Sequence, residues 1–255
     1  MELTSLFKNF EQEIPRINNL TPKWDLNLVL NSLIQAPYEP LKLANLHNLT
    51  LKTVFLLALA TTKRVSELHA LSHVVNHSSH WKSVTLTFSP DFVAKTQLPG
   101  RSETSYGPIT VPALSQILGP GDEEKALCPV RALKEYLKRT QDTRSTCHHL
   151  FISTNTRNPR SISKNTLSFW IRKVIKKAYS KVSSDQASFH KITPHELRAM
   201  GTSLAFARNA SISQVMDAAS WRCHSTFASH YLRDCTHKYL DTYSLGPVVA
   251  AQRIV

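Results

Sequence analysis

The sequence predicts a mainly α-helical protein that carries a small antiparallel β-sheet (α+β). Three observations support this. Apolar residues recur with helical period in several separated stretches. Period-two alternation is confined to residues 82–112. The 255 residues, 42% apolar and 19% charged, suffice for a real core. With only 6 glycines, the chain has no Gly-rich loop of the kind that cradles nucleotide phosphates.

Residues 1–45 are rich in Pro and Asn and read as a lead-in with a short helical pattern from Trp24 to Leu33. From Leu49 to Thr62 a strongly apolar helix places Leu51, Val54, Phe55, Ala58 and Leu59 on one face, so it belongs in the core. At its end it delivers the polar stretch Lys63 to Glu67. Val84, Leu86 and Phe88 alternate with polar neighbours, which predicts a strand. Phe92–Thr96 is expected as a second strand carrying Lys95, Pro99–Gly100 as a turn and Ile109–Val111 as a third strand. Pro129 suits the first position of a helix that turns Val130, Leu133 and Leu137 inward. A short strand is expected at Leu150–Ser153. An amphipathic helix from Asn165 to Ser180 puts Leu167, Ile171, Val174 and Ala178 on one side. Arg172, Lys173, Lys176 and Lys177 lie mostly on the other, a face that either meets DNA or is simply solvated. Thr193, Pro194 and Glu196 fall at the N-cap, N1 and N3 positions of a further helix. His195 and Arg198, three apart, share its first turn, where a helix N-terminus and two cationic donors make a ready anion site.

The net charge of +13 points to a polyanionic partner, nucleic acid first and an anionic membrane surface second. The excess is concentrated: between Arg131 and Arg198 there are 15 Lys and Arg against 4 acids, which favours a binding face over diffuse charge. The longest apolar stretch, Val54 to Ala60, is too short to span a bilayer. The opening MELTSLFKNFEQEIP lacks a signal-peptide core. Cys128, Cys147, Cys223 and Cys235 show no disulfide framework, so a reducing, intracellular setting is expected. No metal is expected. His195-Glu-Leu-Arg lacks the second histidine of a zinc-protease helix, since position 199 is Ala199, and Cys147–His148–His149 and Cys223–His224 are isolated.

The order of motifs is specific. Arg64 with Glu67 in TTKRVSELHAL comes first, then a lysine in a hairpin, then His195 and Arg198 in HELRAMGTSLAFARNA. ASWRCHSTFASHYLRD follows with Trp221 and Tyr231. This arrangement resembles the catalytic domain of the tyrosine recombinase (phage-integrase) family. WDLNLVLNSL, PDFVAKTQ and LCPVRALKEYL further resemble the recombinases of DIRS- and Ngaro-type retrotransposons. The resemblance runs from about Trp24 to Tyr243 and implies the family's fold, double-stranded DNA as partner, action as a tetramer on two DNA sites and no cofactor. A nuclear location is expected.

The resemblance also implies roles. Tyr231 would attack a phosphodiester and conserve its energy in a covalent 3′-phosphotyrosine. Arg64 and Arg198 would clamp the non-bridging oxygens. His195 would donate or take part in proton transfer, and Lys95 would protonate the leaving 5′ oxygen. Trp221 would pack on the nucleophile's helix and donate its indole N–H, and Glu67 would orient Arg64 or its neighbours. Lys82 and Arg101 are rivals for Lys95; Tyr239 and Tyr243 are rivals for Tyr231.

The chain departs from the family pattern in two ways. Trp221 to Tyr231 is ten residues where nine are expected, which a loop insertion near Cys223 would absorb. Only about 45 residues precede the catalytic pattern, too few for the family's clamp domain, so that domain is either reduced or the chain is a fragment of a longer polyprotein product. The expected organisation is therefore a lead-in or reduced core-binding segment at 1–45, a catalytic domain at 46–235 and a tail at 236–255. Leu240, Leu245, Val248 and Val249 would dock that tail on a neighbouring subunit. Competing readings are a domesticated DNA-binding module without catalysis, a type IB topoisomerase, and a helix-turn-helix at Ser211–Arg233.

Overall fold

A computed structural model describes residues 24–93, 107–117, 119, 121, 125–144, 147–155, 157, 159–180, 193–207, 210–221 and 227–233. After helix α1 (Leu26–Leu33) comes α2 (Leu46–Thr61), in which every residue from Asn48 to Thr61 is buried. A helix buried on all sides must be surrounded by other elements. Helices α4 (Pro129–Thr140), α5 (Lys164–Tyr179) and α6 (Pro194–Ala207) pack on it. Residues 24–44 join the same core through Trp24, Leu26, Val29, Leu33, Tyr38 and Leu41.

The ends are fixed by local chemistry. The Asp25 carboxylate accepts from the Asn27 and Leu28 N–H groups at 2.8 and 3.3 Å and so caps α1. The Asp25 N–H donates to the Tyr179 hydroxyl at 2.6 Å, tying α1 to the end of α5. Asn45 caps α2 and Ser163 caps α5 in the same way.

Between the short helix α3 (Val65–His69) and α4 lies a three-stranded antiparallel sheet in the order β1 (Leu71–His77), β2 (Ser83–Phe88), β3 (Ile109–Pro112). Val84 faces Val111 and Leu86 faces Ile109, all four buried, while Thr85 and Thr110 bond at 3.0 Å between their hydroxyls. The expected strand at Ser83–Phe88 and the one near Ile109 are present. Of the expected strand at Phe92–Thr96 only Phe92 and Val93 are described, and they form no strand: the Phe92 N–H closes a turn on the Ser89 carbonyl, and β2 pairs with β1 and β3. Lys95 and residues 94–106 lie outside the described residues. Leu150–Ser153 forms no strand; around it Ser72 meets His149 and Ile152 meets Ser161 in isolated bridges.

One charge lies inside this core. Lys52, in the middle of α2, has no solvent exposure. Its ammonium donates to the Leu33 carbonyl at 2.8 Å and to Glu39 at 2.6 Å, and Arg131 grips the same carboxylate at 2.7 and 3.1 Å. Burial pulls the Lys52 ammonium down to about 8. Burial alone would raise Glu39, but the bonds and charges of Arg131 and Lys52 outweigh it and hold the carboxyl below its usual range. A depressed carboxyl contributes stability above its unfolded pKa and loses it as pH falls through the lower folded value. Glu39→Gln, which strands the buried ammonium, is expected to lower unfolding stability by about 3–5 kcal/mol at pH 7. Lys52→Met added to it should recover most of that loss. Urea unfolding of the two variants checks both expectations.

Candidate active site

Three segments distant in sequence meet beside Ser168 of α5 in a cleft of about 560 Å³, which Lys63, Arg64, His195, Arg198 and Tyr231 also line. The first segment is the exit of α2. Thr62 adopts a left-handed conformation (φ 51, ψ 20), a turn that costs a non-glycine residue roughly 1–2 kcal/mol. It breaks the helix and sends the next two side chains into the cleft. Arg64 is the N-cap of α3 and is extended. Buried Glu67 accepts from the Arg64 guanidinium and from the Arg64 N–H, both at 2.8 Å, so one carboxylate fixes both the helix start and the arginine.

The second segment is the first turn of α6. His195 is exposed at the cleft mouth and Arg198, 2% exposed, lies deeper. A guanidinium N–H of Arg198 donates to the Ala219 carbonyl. Its central carbon lies 4.8 Å from the centroid of the Trp221 ring and 5.5 Å from that of the Tyr231 ring, cation–π contacts that hold it beside the nucleophile candidate. Glu196, between them, pairs with Arg233 at 3.3 Å.

The third segment follows helix α7 (Ile212–Ala218), capped by Ser211 and Gln214 in a reciprocal box. Ser220, also left-handed (φ 53), turns the chain into Trp221. A small second core of Ala205, Val215, Met216, Ala219, Trp221 and Phe227 supports it. The Trp221 ring lies 4.5 Å from that of Tyr231, tilted by 40°. Its indole nitrogen is buried and bonds to no described residue. Phe227–Tyr231 forms a π-helical turn, with the Leu232 N–H donating to the Phe227 carbonyl at 2.8 Å. A π turn holds one residue more than an α turn. This turn lies within the ten-residue Trp221–Tyr231 interval; residues 222–226, where the sequence places a loop insertion, lie outside the described residues. Ser203 of α6 closes the arrangement: its hydroxyl donates to the Tyr231 carbonyl at 3.1 Å and accepts from the Arg233 N–H at 2.8 Å.

The Tyr231 hydroxyl is therefore in the cleft of its own chain, 3.5 Å from His195 Nδ1. That separation is long for a hydrogen bond and close enough to tighten around a substrate. Arg64, Glu67, His195, Arg198, Trp221 and Tyr231 are thus brought together. Lys82 is exposed at the start of β2 and does not line the cleft. Lys95, Arg101, Tyr239 and Tyr243 lie outside the described residues. Among the described residues no group of three His, Cys, Asp or Glu is placed to hold a metal, and no helix is long and apolar enough to cross a membrane.

The four cations of α5 divide. Arg172 and Lys176 are exposed, and Arg172 donates to the carbonyl of cleft-lining Ser168 at 3.4 Å. Lys173 and Lys177 are half-buried and turn to the start of α2: Lys173 donates to His47 Nε2 at 2.8 Å and Lys177 to the Asn48 amide oxygen at 3.1 Å. Burial, with the charges of Lys173 and Lys177, lowers the His47 pKa, so its ring stays neutral and can accept. Sequence spacing missed a further cleft residue, Lys63, which is 8% exposed.

No family model matches the chain, and no curated protein matches it. Its structure is similar to the crystal structure of XerA recombinase, with a TM-score of 0.51 and 19% sequence identity over 85% of this chain and 61% of that one. The chain thus spans less than two thirds of that protein's length. The likeness establishes the fold: a tyrosine-recombinase catalytic-domain fold, α-rich with a three-stranded antiparallel sheet.

The distance between the two arginine-bearing segments is set at Gly201 on α6. A Cβ there would stand 3.0 Å from the Leu59 carbonyl oxygen and from the Thr62 methyl. Gly201→Ala gains about 1 kcal/mol of helix propensity and loses about 1–3 kcal/mol to overpacking. Thermal melting should therefore move by only a few degrees, and a crystal structure of the variant should show Arg198 displaced from Arg64 by a few tenths of an ångström.

Proposed function

We propose that this chain cuts and rejoins DNA strands as a site-specific recombinase, with Tyr231 as its nucleophile. One observation carries the reading: the Tyr231 hydroxyl stands 3.5 Å from His195, beside the Arg198 guanidinium, in a cleft that Arg64 also lines. The phenol oxygen attacks phosphorus while its proton passes to His195. A P–O bond to Tyr231 forms as the bond to the 5′ oxygen breaks, and that oxygen leaves as a hydroxyl with a proton from Lys95. Reversal on a second 5′ hydroxyl restores the diester without ATP. Arg64 and Arg198 hold the oxygens on which charge develops, each worth about 10²–10³ in rate.

The WDLNLVLNSL, PDFVAKTQ and LCPVRALKEYL phrases support a retrotransposon element as the source, and integration of its DNA as the task. Such a task requires two duplexes, hence a tetramer, and work in the nucleus. The exposed cations of α5 support a DNA path. Lys164, Ser168, Arg172 and Lys176 are spaced four apart, about 6 Å per step, and lead away from the cleft.

A nicked suicide duplex from the element ends should trap a covalent adduct with the wild type. Tyr231→Phe should trap none. An adduct with Tyr231→Phe removes Tyr231 from the role, and no adduct with any variant on cognate DNA favours a binding module without catalysis. Separately, Arg172→Gln and Lys176→Gln should each reduce the slope of log affinity against log salt by about 1. Lys173→Gln and Lys177→Gln should leave the slope unchanged and lower the melting temperature instead.

A further inference from the structure

Lys63 has no part in the mechanism above, yet it occupies the cleft wall. Its ammonium donates to the Ser220 hydroxyl at 3.0 Å. Among the described residues this is its one hydrogen bond, and no carboxylate lies within ion-pair distance of it. Glu67, whose field reaches it, is committed to Arg64. Burying an ammonium without a counter-charge is unfavourable. A lysine kept in such a place, with two N–H donors left over after Ser220, is set up to receive an anion.

We propose that Lys63 is a third cationic donor of the cleft, contacting the same phosphate as Arg64 and Arg198 and stabilising the charge on a non-bridging oxygen during strand cleavage. The residue follows the left-handed Thr62 and precedes Arg64, so one backbone turn aims both cations at one place. Ser220 holds the ammonium at its far side without neutralising it. The groups that face Lys63 are Arg64 and Glu67 from α3, His195 and Arg198 from α6, Ser220 after α7 and Tyr231 from the π turn. Burial draws the ammonium down to about 8, with Glu67 opposing and Arg198 and Arg64 adding to the shift. Its donor capacity is complete below that pH and declines above it, and a bound phosphate, by favouring the charged form, moves the decline upward.

The proposal rests on Tyr231 as the nucleophile, and the test separates the two. Single-turnover cleavage of the suicide duplex is measured from pH 6 to 10 for wild type, Tyr231→Phe, Lys63→Met, Lys63→Arg and Ser220→Ala, each checked for folding by thermal melting. Lys63→Met is expected to cleave about 10²–10³ more slowly, with DNA affinity changed by less than tenfold. Its alkaline fall in rate, present in the wild type at or above pH 8, should be gone. Lys63→Arg should recover at least part of the rate and keep it to pH 10, because a guanidinium does not deprotonate there. Ser220→Ala should fall by only several-fold. A wild-type rate and an unchanged alkaline limb in Lys63→Met overturn the proposal. So does a Ser220→Ala loss equal to that of Lys63→Met, which would make the lysine a mere tether of the turn. If Lys63→Met does not fold, Lys63→Arg decides alone: an alkaline limb that stays where the wild type has it overturns the proposal. Cleavage by Tyr231→Phe at the wild-type rate sinks the nucleophile itself.

Discussion

The site depends on one close approach. Where α6 crosses the exit of α2, Gly201 brings the two backbones as near as heavy atoms allow, with Leu59 and Thr62 against the place a side chain would occupy. On one side of this contact the chain turns at Thr62 and presents Lys63 and Arg64. On the other, one turn earlier in α6, stand His195 and Arg198. Ser203, two residues beyond Gly201, then fixes the π turn that carries Tyr231. The same helix therefore sets both the arginine spacing and the position of Tyr231.

Charge is handled differently in the two interiors. In the main core Lys52 and Arg131 share the Glu39 carboxylate, a network in which each charge has a partner of opposite sign. In the cleft Lys63, Arg64 and Arg198 converge with Glu67 as the carboxylate that grips Arg64. A network of the first kind holds elements together; an arrangement of the second kind is suited to a phosphate. Exposed Arg172 and Lys176 extend the cleft's positive charge along α5, while Lys173 and Lys177 are spent on the start of α2.

Much of this was legible in the sequence, for physical reasons. The apolar face of α2 and the Pro129 and Pro194 starts follow from periodicity and capping, the helix expected at Asn165–Ser180 is α5, and the strand through Val84, Leu86 and Phe88 follows from alternation. Arg64, His195, Arg198 and Tyr231 were singled out by the order of motifs and meet in one cleft. Strand β1 was not legible, because Leu71–His77 is buried only at its first residue and then runs half-exposed. Lys63 looked like any helix-end cation, since burial of a lysine depends on what packs over it from residues 150 positions away. The split among the α5 cations was hidden for the same reason: spacing gives the face of a helix and not what stands opposite. The ten-residue interval before Tyr231 was visible, but only backbone hydrogen bonds reveal a π turn.

The central claim is that the phenol of Tyr231 becomes the covalent link to DNA. The most direct measurement is to digest the trapped protein–DNA adduct with trypsin and nuclease and locate the attached nucleotide by tandem mass spectrometry. A 3′-nucleotide on Tyr231 is the expected result. A nucleotide on Tyr239, Tyr243 or any other side chain would contradict it.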